Sequence, residues 1–579
     1  MKKNNQRKKL SEEQKREQLL KRAKANLKRK IYKIFTNAGF NYIPTGGKEV
    51  FIGHRKVEVD ALYIYENIWV FCEDTVKTTN IRDHIRTKNE AFGAIQENVK
   101  EYMDMLRKSF PEKVDILTKY DADRIKTFSL YIPRDELNLS DDDYSLFNKL
   151  KFVQPKTLDY FYWIVNCIRL SARFEIFRFL DIKSDEIGLR SSSSDNTKIK
   201  APIIYPREFT GLSNDVRLVS FMMSAEDLLN TCYVLRKDNW SESIWLYQRL
   251  IDKNKIKKIR EFLEVKGEAF YNNIIVVLPD SVIFQDAKGQ YKTIDQISNL
   301  DENCQLILPK EMNSVCLIDG QHRVYAHYES GIDSKQEKKI AVLRPKLHLL
   351  VTGLIFPKSL SQEQRAKIQS EIFLDINSNA TKVPQNVLLQ IKRIKNPLDD
   401  ESIAQFVIEK LNKFGVFNNL FQMSSLDKAK IKTASIVKFA LRYLVTINPV
   451  DGKKSLIDYW DGDGDKVSLR NADNTMLTNY VKFCADSINI YFSAIKKNLS
   501  EFWDNENSKL LSVISINSFI IAFNKQLEKN GIKDFDFYDS IFKNWTFDFT
   551  ANRFPYTSSQ YHKFALEILK GAFDIVDEK

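Results

Sequence analysis

Leu317-Ile318-Asp319-Gly320-Gln321-His322-Arg323-Val324-Tyr325-Ala326 sets an acid, a glycine, an amide, an imidazole and a guanidinium side by side. The apolar run Val315-Cys316-Leu317-Ile318 precedes them, and a helix-compatible run from Val324 to Ser330 follows. This is the pattern of a strand that ends in a polar turn and opens a helix. It sets the expected class: an α/β chain, α+β in its several domains. Such a turn suits phosphate. Gly320 lets backbone approach a ligand closely. The helix start offers free N–H groups and a partial positive charge. Arg323 brings a planar two-pronged donor, and His322 moves a proton near neutral pH. The plain alternative is a turn that only caps its helix.

The order of those five residues resembles the signature of the DGQHR-domain proteins. That group includes the DndB-like proteins of DNA phosphorothioation systems and is distantly similar to the ParB/sulfiredoxin superfamily. The likeness extends to Tyr247-Gln248-Arg249 with Asn272 to Val277 before the tag, and to Phe373-Leu374-Asp375-Ile376-Asn377 after it. It covers roughly residues 240–395. It implies a domain that binds, and in some relatives hydrolyses, a nucleoside triphosphate, or that reads DNA. Gly320 would then surround phosphate oxygens and Arg323 neutralise them, with Arg249 a second cation and Gln248 beside it. Asp319 would bind magnesium or orient His322, Gln321 would orient a water, and Asn377 would hold a base or a metal-bound water. No GxxxxGK[ST] sequence is present, so a Walker-type phosphate loop is excluded.

Nearer the N-terminus, Val57 to Tyr65 and Ile68 to Glu73 alternate around Glu66-Asn67 and predict a hairpin. Asp60 is expected in the first strand and Glu73 at the end of the second. Two carboxylates at one end of a sheet suit a divalent cation such as Mg2+, which polarises a phosphate and activates water. With a helix over Lys28 to Gly39, another over Ala91 to Ser109 and a strand over Thr127 to Ile132, residues 30–135 resemble the PD-(D/E)XK restriction-endonuclease-like fold. That likeness implies metal binding by Asp60 and Glu73. It also implies a lysine two positions after the Glu, where Thr75 stands instead. Lys77 is the expected substitute if the strand continues, and Glu58 shares the facing of Asp60. Three readings stay open: an active nuclease, an inactive DNA-binding descendant, or an unrelated α/β domain.

At 579 residues, with 43% hydrophobic and 28% charged residues, the chain is long enough for several globular domains. No apolar run reaches the roughly 18 residues that cross a bilayer, so no membrane contact is expected. The charged N-terminus lacks a secretory h-region, and a cytoplasmic location is expected. The six cysteines stand singly, without a CxxC pair. Residues 1–30 hold 13 Lys and Arg against three Glu, so they carry +10 of the net +13. They read as a basic helical arm for nucleic acid, or as a solvated tail. The expected order is the arm at 1–30, a nuclease-like domain at 31–189, a serine-rich linker at 190–205, a DGQHR domain at 206–395 and a helical region at 396–579. A helix is expected over Ile244 to Val265. Asp461-Gly462-Asp463-Gly464-Asp465 is expected to be an acidic surface loop, because it lacks the later ligands of a calcium loop. The functional expectation is a DNA-processing protein of a DNA-modification or anti-phage defence system. DNA and a nucleotide are the expected partners, with self-association or partner proteins besides. The alternative is a non-catalytic DNA-binding regulator.

Overall fold

The hairpin organises the first part of the chain. In the computed structural model it consists of β4 (Ala61–Tyr65) and β5 (Ile68–Thr75), paired antiparallel. Glu66 takes the left-handed conformation that the tight turn needs (φ 51°). The amide of Asn67 donates to the carbonyls of Arg124 and Glu186 (2.9 Å each) and accepts from the Gly188 N–H (2.7 Å). Every residue of β5 is buried, which its near-continuous apolar run anticipates for a central strand. The structure describes residues 12–137, 139–189, 196–200, 202–205, 207–212, 216–234, 251–296, 304–378, 389, 392–393, 396–423, 431–461, 463–471, 473–557 and 559–575.

Around the hairpin stand β1 (Asn41–Ile43), β6 (Lys126–Pro133) and β7 (Lys151–Phe152), giving a sheet of order β1-β4-β5-β6-β7. A small separate hairpin, β2 (Val50–Ile52) with β3 (Arg55–Val57), precedes β4. β6 and β7 run parallel to their neighbours. A parallel partner needs a long crossover, and α2 (Ile81–Glu97) and α3 (Val99–Ser109) provide it. Phe71 packs on Phe92 of α2 and Tyr102 of α3. α1 (Glu12–Asn37) buries Leu27, Ile31, Ile34 and Phe35, and Phe35 stacks on Tyr63 with ring centroids 4.4 Å apart.

Several expectations are corrected at their edges. α1 runs through the expected boundary at residue 30, because apolar residues on one face continue the helix on both sides of it. The helix expected from Ala91 begins ten residues earlier, at Ile81, and breaks at Asn98. Asp60 precedes β4 instead of lying in it, and β5 continues past Glu73 to Thr75. Residues 196–200, expected as linker, form a strand.

The chain divides into two compact units, residues 1–365 and 366–579. Besides the first sheet, the first unit holds β8 (Asn196–Lys200), β9 (Ile203–Ile204), β10 (Arg217–Ser224), β11 (Cys232–Val234) and β12 (Ile274–Val277). It continues with β13 (Ile283–Gln285), β14 (Tyr291–Lys292), β15 (Gln305–Pro309), β16 (Val315–Asp319) and β17 (His348–Ile355). They form a six-stranded sheet of order β11-β16-β12-β17-β10-β9 and a four-stranded one of order β14-β13-β15-β8. β16 lies between β11, parallel to it, and β12, antiparallel to it. The second unit is mostly helical. Its helices Asn474–Asn498, Val513–Asn530, Phe535–Lys543 and Tyr561–Phe573 enclose an aromatic core in which Phe519 meets Phe542, Trp545 and Phe564. Helices and mixed sheets together make the chain α+β. Asp463, expected in a loop, starts the helix Asp463–Arg470. Among the described residues no helix is long and apolar enough to cross a membrane. All six cysteines are buried; burial pushes the Cys316 thiol up to about 12.

Candidate functional site

Three carboxylates lie at or beside the end of β5: Asp60, Glu73 and Asp74. Asp60 is held by backbone: its Oδ2 accepts the Asp74 N–H at 3.1 Å. Gly46 allows the preceding turn to press on it, since a Cβ there would stand 2.7 Å from the Asp60 carbonyl oxygen. Glu73 and Asp74 are adjacent in β5 and so face opposite sides of the sheet. Each meets a lysine carried by a helix on its own side. On one side Lys88 of α2 places Nζ 2.7 Å from Glu73 Oε2, and His84 of α2 places Nε2 3.5 Å from Glu73 Oε1. On the other, Lys28 of α1 places Nζ 2.9 Å from Asp60 Oδ1 and 3.8 Å from Asp74 Oδ2. Lys24, one turn earlier, is 4.0 Å from Asp60 Oδ1.

The carboxylates are more buried than the cations. Asp60, Glu73 and Asp74 are 9%, 4% and 4% exposed, whereas the Lys24 and Lys28 side chains remain nearly half exposed. Burial, then the charge of Asp60, pushes the Glu73 carboxyl up to about 8, against the pull of Lys88. The same two causes raise Asp74 to about 6. Burial, then Lys77 and Lys88, lowers His84 to about 4, so its ring is neutral near pH 7. Its Nδ1 lies 2.8 Å from the Tyr131 hydroxyl. Glu73 Oε2 and Asp74 Oδ1 are buried without a hydrogen bond. For Glu73 this does not mean isolation: Lys88 is at ion-pair distance but off the bonding direction. Asp74 Oδ1 is an acceptor with neither. Packed carboxylates that raise one another, with an orphan oxygen, are the electrostatics of a site that gains from a cation.

The pair Asp60 and Glu73 was legible from the hairpin; the cations were not. Lys77 follows the end of β5 and is exposed, so it is not the residue beside Glu73; Lys88 is. Thr75 bonds instead to the Lys77 N–H (3.2 Å). Glu58 accepts from the Gly47 N–H, and its Oε2 is 4.0 Å from Lys88. Lys28, Lys88, His84 and Asp74 escape a reading by spacing, because helix packing brings the first three to the strand. Among the described residues no group of three or more His, Cys, Asp or Glu side chains is arranged to hold a metal ion. Magnesium does not require one: it is commonly held by one or two carboxylates, with water and substrate phosphate completing its shell.

The turn at residues 319–323 has the expected strand–turn–helix form, but its helix, Gln321–Tyr325, is short. Gly320 sits at φ 94°, and a Cβ there would stand 2.5 Å from Ile274 Cδ1. Arg323 folds back on Asp319, with Nη2 3.1 Å from Oδ2; its Nη1 is buried without a hydrogen bond. His322 Nε2 accepts the Asp252 N–H at 2.8 Å. Gln321 is buried. Two buried arginines clamp the chain just beyond. Arg260 donates to the Ala326 and Tyr328 carbonyls (2.9 Å each), and Arg344 to those of His327 and Tyr328 (2.5 and 3.0 Å). Glu337 joins both guanidinium groups. Gln248 and Arg249 lie outside the described residues, as do residues 244–250 of the expected Ile244–Val265 helix; in the described part residues 251 and 252 are not helical, and the helix is Lys253–Val265 with Asp252 as its cap. Asn377, expected in a turn, is in the last turn of the helix Gln362–Ser378 and in the second unit.

No family model matches this chain, and no curated protein or solved structure is found similar to it.

Proposed function

We propose that this chain is an intracellular DNA-processing protein of a DNA-modification or anti-phage defence system, and that the end of β5 is its phosphodiester-cleaving centre. The charge of Asp60 acting on the buried Glu73, with Lys88 beside Glu73, carries the reading. Asp60 and Glu73 would hold a magnesium ion, which when bound polarises phosphate and lowers the pKa of water. Lys88 takes the part expected of the lysine missing at Thr75: its ammonium group, on a side chain 12% exposed, stabilises negative charge building on an attacked phosphate. His84, bonded to the Tyr131 hydroxyl, stands beside Glu73 Oε1. The resemblance of residues 30–135 to the PD-(D/E)XK fold supports this reading, and so does the order helix, antiparallel hairpin, helices, parallel strand.

The test is nicking of supercoiled plasmid with magnesium or manganese. Activity is expected from the full chain and is lost in Asp60→Asn, Glu73→Gln and Lys88→Ala, by a hundredfold or more for each carboxylate. Nicking that persists in the Asp60→Asn/Glu73→Gln double variant rejects the assignment.

One observation favours the non-catalytic alternative. Lys28 already neutralises Asp60 and stands near Asp74, as in a DNA-binding protein that has no need of a metal. Such a regulator binds DNA in a salt-dependent way without turnover. The DGQHR-like turn adds a second proposed role, binding and hydrolysis of a nucleoside triphosphate. Arg323 Nη1, a buried donor without a hydrogen bond, supports it. Release of phosphate from a triphosphate, abolished in Arg323→Ala, is the expected result; no release from any of the four common ribonucleoside triphosphates removes this role.

A further inference from the structure

α1 is two surfaces in one helix. From Leu27 onward one face is apolar and packs on the domain: Leu27, Ile31, Ile34 and Phe35 are at most 7% exposed. Toward the N-terminus the helix continues over a further stretch that is exposed from Glu17 to Arg22. On this overhang Lys21, Lys24 and Lys28 follow at spacings of three and four, so they form one row on one side of the helix. The row grades from open to engaged. The Lys21 side chain is 75% exposed and pairs with Glu17 on its own helix, Lys24 is 47% exposed, and Lys28, at 42%, touches Asp60. Arg22 and Arg29 lie off that row, roughly a third of a turn around the same helix; Arg29 bonds Asn26.

Further cations surround the end of β5. Lys77 stands on the loop after β5, and His84 feels the charges of Lys77, Lys88 and Lys24 together. The result is a recessed acidic floor under a cationic rim. A polyanion is attracted to the rim and repelled by the floor unless a cation intervenes. We infer that the Lys21–Lys24–Lys28 row is one wall of a DNA track, along which successive backbone phosphates approach the carboxylates. A DNA strand fits because its charges recur along a line, as the lysines do, and because each neutralised phosphate releases counterions. The inference rests on the reading of the β5 end as a DNA site, and adds which surface the substrate lies on.

The experiment is fluorescence anisotropy with the full chain and a 30-base-pair DNA duplex, without divalent cation, over a range of salt concentrations. Lys21→Glu/Lys24→Glu is compared with Arg22→Glu/Arg29→Glu, the same charge change roughly a third of a turn around the helix. The first pair is expected to weaken binding about tenfold or more and to lower the log–log salt slope by about 2, near 0.9 per lost phosphate contact. The second pair leaves the slope within about 0.5 of wild type. The neutral pair Lys21→Gln/Lys24→Gln gives the same ranking without added acid. Equal effects of the two faces, or no effect of the lysine pair on a wild-type protein that binds DNA, overturn the track while leaving the nicking assay as the judge of the centre itself. Absence of salt-dependent DNA binding by wild type removes the DNA reading, and the track with it.

Discussion

Glu73 shows what a single residue reports about its surroundings. In the folded chain burial and Asp60 hold its proton up to about pH 8, against an ordinary value of 4.5. When the chain unfolds, that proton leaves near 4.5. Between these values the folded state binds more protons than the unfolded one, so this group lowers stability as pH rises and levels off above about 8. Glu73→Gln cannot ionise. Its stability relative to wild type is therefore expected to rise from pH 4.5 to about 8 and then to stay constant, as thermal melts at several pH values would show. Millimolar magnesium is expected to stabilise wild type most at the alkaline end and to leave Glu73→Gln unmoved; equal stabilisation of both counts against a cation at Glu73. Gly320 makes a second test. Its φ of 94° and the 2.5 Å approach to Ile274 Cδ1 leave no room for a side chain. Gly320→Ala is expected to cost about 1–3 kcal/mol, and Ile274→Val, which removes that Cδ1, recovers part of the loss in the double variant. Urea denaturation of the four proteins measures it. Strictly additive effects would mean that the strain is in the backbone alone.

At the scale of elements, legibility followed the kind of signal. The β4–β5 hairpin was legible because alternation and a polar two-residue turn are local properties, and β5 reads as a buried central strand from its own composition. The end of β5 was not: whether a strand runs two residues past Glu73 depends on β6, which pairs with it to Thr75. That small difference takes Lys77 off the strand and leaves the place beside Glu73 to Lys88. The site was half legible for the same reason. Asp60 and Glu73 belong to a short-range motif, whereas Lys28 and Lys88 belong to helices that reach it by packing. α1 carries the clearest consequence. Charge marks a boundary near residue 30, but the helix buries Leu27 and seats Lys28 before it. Deleting residues 1–30 is therefore expected to destabilise the first unit, by about 2 kcal/mol for Leu27 alone and more with the exposed ends of Ile31 and Ile34. Deleting residues 1–11 is expected to leave the melting temperature within about 2 °C. Equal melting of the two truncations would show that the buried face of α1 adds nothing to the stability of the first unit.

The whole chain is two units with separate cores. In the first, an aromatic and aliphatic core fills the space between the β4–β5 sheet and α2 and α3. In the second, Phe519, Phe542, Trp545 and Phe564 meet at the centre of the helices. The helical character of the second unit was legible from composition and periodicity, but its start was not. The segment expected as one domain, residues 206–395, crosses the division at residue 365, which falls inside the helix Gln362–Ser378. Sequence similarity follows function-bearing segments, whereas a unit is defined by which side chains share a core, and those share no spacing. Two cores predict two unfolding events. Differential scanning calorimetry is expected to resolve two transitions, with Gly320→Ala lowering one and Phe519→Ala the other, since a large-to-small change in an aromatic core costs about 3–5 kcal/mol. If both variants shift one shared transition, the units unfold together. In that case a change at Gly320 also reaches the helical unit, and a substitution at the turn acts on the stability of the whole chain.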